Sequence, residues 1–228
     1  MAGGARIGGC AVCSFPVKEC RERLRYGGAS TAYGAAMAGM LRGMSDRLLA
    51  LVRELGGGRW GLERARATAR QIEGSKRAVR LLVTALFGEE LEIRKRAADV
   101  ARRVSDRSPE PLWRFAEELA AGLLSELPPE ESRTRWHLGL VVARVAHTPE
   151  QRLRAGRLME LLATDEGNVV RCSAVEGISL LACAETALRE VAEEIVERAL
   201  RKGTKAERCR AREGKRRMAQ AGAVRVDL

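Results

Sequence analysis

Arginines of similar context recur along this chain at a nearly constant interval, and that recurrence constrains the fold more than any other feature. Arg96 lies in RKRAADVARRV, Arg135 in RTRWHLGLVVARV, Arg171 in VVRCSAVEGISLL and Arg208 in RCRAREGKRRM, so the spacings are 39, 36 and 37 residues. A further step of 37 towards the N-terminus reaches Arg59, where Arg59-Trp60 repeats the Arg135-Trp136 dipeptide. A second mark keeps the same register. A helix start is expected 15 or 16 residues after each of these arginines, at Ser75, Pro111, Glu150 and Thr186. Self-similarity at such a period is the signature of stacked supersecondary units, each too small to bury its apolar face alone.

Each unit reads as a first helix, a short turn, a second helix and a loop. The breaks are short and polar (GEELE, SELPPEES, TDEGN, RKGTKAE), and no stretch alternates apolar and polar residues with β-branched enrichment. The expected fold is therefore all-α. In the third unit Thr148 suits the N-cap, Pro149 the first helical position and Gln151 the capping-box position. Ser108 and Pro109 are expected to do the same one unit earlier. The helix from Arg135 to Ala146 is apolar almost all round, so neighbours must cover several of its sides. The last unit, from Arg208, is polar with Gly214 in its middle, as suits a terminal repeat with a solvated outer face.

The ends differ from the body. Residues 1–43 are rich in Gly and Ala without helical period and read as a disordered segment, one that an overcalled start codon would add upstream of Met44. Residues 44–58 read as an N-terminal helix, with Leu48, Leu49, Val52 and Leu55 along one side. Residues 59–218 form the repeat body, and residues 219–228 a C-terminal tail. Of the net charge of +11, residues 1–58 carry +4, residues 59–204 only +2 and residues 205–228 +5. No uninterrupted apolar run of transmembrane length and no secretory signal is seen, so a cytoplasmic location without membrane contact is expected. The six cysteines then read as reduced thiols.

The period near 37, the paired helices and the early arginine resemble HEAT or armadillo-type repeats. TRWHLGLVVARV, VVRCSAVEGISLL and RCRAREGKRRM are similar to small bacterial HEAT-repeat proteins, over roughly residues 59–218. The resemblance implies a right-handed α-α superhelix of about four to five helix pairs, with a surface for macromolecular partners on its concave, second-helix side. It carries over no catalytic residue.

Candidate chemistry is sparse. His137 and His147 lie ten apart with no i, i+4 partner, and Cys10-x2-Cys13 with Cys20 lacks a fourth ligand, so neither a metal site nor a cofactor is expected. Cys172 and Cys183 read as small core residues. GGGRWG at 56–61 lacks the Lys-Ser/Thr of a phosphate loop. Trp60 and Trp136 read as packing residues at equivalent positions. The binding candidates are on the second helices: Lys76, Arg77, Arg80, Trp113, Arg114, Arg152, Arg154 and Arg157, facing an acidic fourth unit with Glu190, Glu193, Glu194 and Glu197. The repeat arginines Arg96, Arg135 and Arg171 are expected to bond loop carbonyls or carboxylates of adjacent units. The leading expectation is a non-enzymatic scaffold for a protein or peptide. The alternative is a DNA-binding protein, a diverged relative of HEAT-like DNA alkylation repair proteins, whose basic tail (Arg208, Arg210, Arg212, Lys215, Arg216, Arg217) would contact phosphates.

Overall fold

The structure, a computed structural model, describes Leu55, residues 57–125 and residues 127–226. The Gly/Ala-rich segment with Cys10, Cys13 and Cys20, and Leu48, Leu49 and Val52 of the expected N-terminal helix, lie outside the described residues. Leu55 is helical and buried in the core.

Among the described residues there are nine α-helices and no strand. The first pair is α1 (Leu62–Glu73) and α2 (Lys76–Leu86). The second is α3 (Leu91–Arg107) followed by a 3-10 turn (Glu110–Phe115) that runs into α4 (Ala116–Ser125). The third is α5 (Ser132–Val145) and α6 (Pro149–Leu162). The fourth is α7 (Asn168–Ala184), a 3-10 turn (Thr186–Leu188) and α8 (Arg189–Lys202). Helix α9 (Lys205–Val226) follows, so the expected tail at 219–228 continues as helix through Val226.

Local chemistry explains the boundaries. Ser75 caps α2 by accepting the Ala78 amide at 3.3 Å. Thr148 and Gln151 form a complete capping box around Pro149. Ser108 and Pro109 behave differently from that expectation. Ser108 ends α3, and the chain passes through a 3-10 turn before α4 begins at Ala116. Pro109 and Pro111 together remove two amide donors there, which favours a tight turn over an immediate α-helix.

The first helices form one row: α1 packs on α3, α3 on α5, α5 on α7 and α7 on α9. Every extensive contact joins elements of one pair or of adjacent pairs. The second helices touch one another much less. Small residues let the first row close up. A side-chain methyl at Gly139 would come within 2.9 Å of Ser173 Oγ, and one at Gly177 within 3.1 Å of Ala143. The core is aliphatic, with Leu82, Leu119, Leu138, Val141, Val170 and Ile178 fully buried; burial at about 25 cal/mol per Å² is the main source of stability.

The repeat arginines tie the loops. Arg96 donates to the carbonyls of Leu55, Gly57 and Gly58, at 3.0, 3.1 and 3.2 Å. Arg135 donates to Leu127 O at 3.0 Å and to the Asp165 carboxylate at 2.8 Å. Arg171 donates to Asp165 O and Glu166 O and reaches Glu207 of the next unit. The register in the second unit is shifted by two. Arg94, not Arg96, binds its own loop carbonyls at Gly88 and Glu89 and bridges to Glu131. Trp60 and Trp136 are not equivalent either: Trp60 precedes α1, whereas Trp136 lies within α5.

Candidate partner-binding surface

Of the predicted basic residues, Lys76, Arg77, Arg80, Arg114, Arg154 and Arg157 are exposed and Arg152 is partly buried, and they are not uniformly free. Lys76, Arg77 and Arg80 occupy the first turns of α2. Arg80 pairs with Glu118 of α4 at 3.6 Å and lies over the Phe115 ring at 4.6 Å. Arg114 lies over the same ring at 4.8 Å. Arg154 of α6 pairs with Glu117 of α4 at 2.6 Å. Arg152 pairs with Glu185 at 3.4 Å and donates to His147 O at 2.8 Å. Lys76, Arg77 and Arg157 are exposed and have no ion pair among the described residues. The sequence reading missed Glu117 and Glu118 as partners. Their signal was the period itself, because Glu117 and Arg154 are 37 residues apart and so occupy matching positions on successive second helices. Such exposed pairs add little stability, but they lower the free positive charge of this face.

The turns between first and second helices add shape. A groove of about 550 Å³ lies between the α1–α2 turn and the 3-10 turn, lined by Glu73, Lys76, Val79, Ser108, Glu110, Arg114 and Phe115. It offers both signs of charge. The Glu110 carboxyl is held below its usual range by the Ser108 hydroxyl. In the same 3-10 turn Trp113, which does not line the groove, stacks on His147, with ring centroids 4.9 Å apart and planes 17° from parallel. Trp113 is 36% exposed, and Leu153 in the first turn of α6 is 37% exposed. Trp113 and Arg114, expected on a second helix, lie in the 3-10 turn that precedes α4.

A second charged set, unread from sequence, crosses the first-helix row. Arg144 of α5 bridges Asp106 of α3 at 3.0 Å and Glu176 of α7 at 3.2 Å. Glu176 also meets Arg210 of α9 at 3.6 Å, and Glu213 binds both Arg210 and Arg217. Nearer the N-terminus, Asp99 accepts from Trp60 Nε1 at 3.2 Å and pairs with Arg103 at 3.0 Å. These carboxylates neutralise the row internally, so it functions as a clasp between units.

His137 lies under this layer, 3% exposed, stacked on Trp136, with neither ring nitrogen hydrogen-bonded. Burial drives its pKa down to about 4, with Asp99 opposing and nearby arginines assisting. It is a neutral core residue and has no access to a substrate. Cys172 and Cys209 are free thiols, burial pushes the Cys172 thiol up, and the Cys183 thiol donates to Ser179 O at 3.2 Å. Among the described residues no cluster of metal-binding side chains occurs, and no helix is long and apolar enough to cross a membrane.

The basic tail splits in two. Arg208 donates to Gly203 O at 2.6 Å, Arg210 and Arg217 pair within the first-helix row, and Lys215 pairs with Glu197 of α8 at 2.6 Å. Arg212 and Arg216 face solvent. No family model, no curated protein and no solved structure matches this chain.

Proposed function

We propose that this chain is a non-enzymatic, HEAT-type α-solenoid, wound right-handed, that binds a protein or peptide partner on the face built by its second helices and turns. Neighbour-only packing of successive helix pairs is what such an array requires. The observation that carries the binding site is Trp113, 36% exposed and braced by His147, beside a groove that presents Lys76 and Arg114. A half-exposed, immobilised aromatic next to free cations has the character of an interface anchor. The second helix of the fourth pair, with Glu190, Glu193 and Glu194 exposed, gives the face an opposite sign at its far end and would orient a dipolar partner. The closer packing of the first helices puts them on the inside of any curve the stack follows. The docking face is therefore read as the outer one, in place of the concave side implied by the HEAT resemblance.

The test is site-directed photo-crosslinking in the source cell. A photo-crosslinking amino acid in place of Trp113 or Arg157 should trap the same protein, and one in place of Arg133 on α5 should not. Equal capture at all three positions, or capture at Arg133 alone, would refute the assignment.

A further inference from the structure

We propose that the outer face of α9 docks the phosphate backbone of a nucleic-acid duplex, a second interaction separate from the protein-binding face. The helix buries one stripe against α7: Ala211, Gly214 and Met218, with Glu207 at its start. The two flanks of that stripe carry paired charges, Arg210 and Arg217 with Glu213 on one side and Lys215 with Glu197 on the other. The opposite face carries Lys205, Arg212 and Arg216, all exposed and all without an ion pair or hydrogen bond among the described residues. Their spacings of seven and four residues place them in one line along the helix, spanning about 16 Å at 1.5 Å per residue.

The sign of this line is uniform. Helix α9 has two carboxylates, Glu207 and Glu213; the first is buried against Arg171 and the second lies on the flank. The exposed face of α2 is also positive, with Lys76, Arg77 and Arg80, but Arg80 is paired with Glu118 of α4; the exposed faces of α6 and α8 mix signs, with Arg157 and Glu160 on one and Glu190, Glu193 and Arg201 on the other. A solvated end cap needs only polarity, and like charges four apart weaken a helix slightly. A single-sign line is therefore matched by a polyanion. Beside this line, the other exposed residues of that face up to Gln220 are Ala206, Cys209, Ala219 and Gln220, with no aromatic or large aliphatic side chain among them. A protein interface draws its energy from such anchors, and membrane docking needs an apolar face. Phosphate binding needs neither, because counterion release supplies the affinity.

The experiment uses the full chain and a fluorescein-labelled 20-base-pair duplex of arbitrary sequence, read by anisotropy from about 50 to 200 mM salt. Three phosphate contacts predict a log–log salt slope near −2.7, a loss of roughly fortyfold over that range. Replacing Lys205, Arg212 and Arg216 together by Gln should weaken binding at least tenfold at the low-salt end and flatten the slope. The same change at Lys76, Arg77 and Arg157 should leave both within about twofold. Circular dichroism melting of each variant confirms that the exposed substitutions leave the fold intact. Absence of binding at 50 mM overturns the proposal, as does a Lys205/Arg212/Arg216 variant that binds like the wild type. Binding of poly-glutamate as tight as that of the duplex assigns the face to an acidic protein instead. None of these outcomes bears on the crosslinking test at Trp113.

Discussion

Arg144 donates to Glu176 across 3.2 Å, which fastens α5 to α7 while the same guanidinium also holds Asp106 of α3 at 3.0 Å. Three successive first helices are thus joined through one side chain that is only 14% exposed. Burial pulls the Arg144 pKa down, and Asp106 and Glu176 oppose that pull. Removing the cation leaves Glu176, itself 12% exposed, with Arg210 as its remaining partner. Arg144→Ala is expected to cost about 2 kcal/mol. Arg154→Ala, which breaks an exposed pair with Glu117, should cost less than about 0.5 kcal/mol. Urea unfolding of the two variants provides the comparison; equal losses would contradict the clasp.

Acid should weaken the fold before its carboxylates titrate. His137 has a pKa of about 4 in the folded chain against 6.5 for the free side chain, because burial disfavours its charged form. A depressed histidine pKa means that the unfolded chain binds the proton more readily. The stability is therefore fully present above pH 6.5 and declines as pH falls towards 4. The loss is on the order of 3 kcal/mol at about 1.4 kcal/mol per unit. Urea midpoints between pH 7 and 4.5 should fall in the wild type and fall much less in His137→Gln.

Two glycines separate crowding from backbone freedom. A methyl at Gly214 would collide with Ser179, which is fully buried and bonded to Val175 O. Gly214→Ala should destabilise by about 1 kcal/mol, the overpacking of a close helix contact outweighing the gain in helix propensity. Gly74 has nothing within 4 Å of the built position, and its φ of −84° suits any residue. Gly74→Ala should stabilise by about 0.5 kcal/mol. Thermal melts of both variants read the two signs directly.

The capping box predicts a local effect. Thr148→Ala removes the acceptor for the Gln151 amide, 3.2 Å away, and should cost about 1 kcal/mol. Hydrogen exchange should show the loss concentrated in the first turn of α6.

Much of this architecture is legible in the residues because the arginine spacing and the helix-start chemistry are local signals. Ser75, Thr148 and Pro149 announce helix starts through groups a few positions away, and the structure places helices there. The pair of Arg171 with Glu207, 36 residues on, follows from the period, whereas the pair of Arg135 with Asp165 spans 30 residues and is set by the loop before α7. The clasp through Arg144 was only half legible: Asp106 is one period away, at 38 residues, but Glu176 is 32 residues on and off that register, so its meeting with Arg144 depends on the packing of the helices. The 3-10 turn at Glu110–Phe115 was hidden for a different reason: a proline pair reads equally as a helix start or as a tight turn. At the candidate surface, the exposed position of Lys76 on α2 could be read from helical period, whereas Trp113 and Arg114 lie in the 3-10 turn, where that period does not hold. Glu118 and Glu117, each about one period from Arg80 and Arg154, were the sign in the sequence that those two cations are neutralised.

The central claim is that a partner docks on the face of the second helices and turns. Hydrogen–deuterium exchange of the full chain, alone and with the protein captured at Trp113, tests it most directly. The account predicts protection at the start of α2, at 110–115 and at 147–154, with the first-helix row unchanged. Protection confined to α3, α5 and α7, or none anywhere, would contradict it.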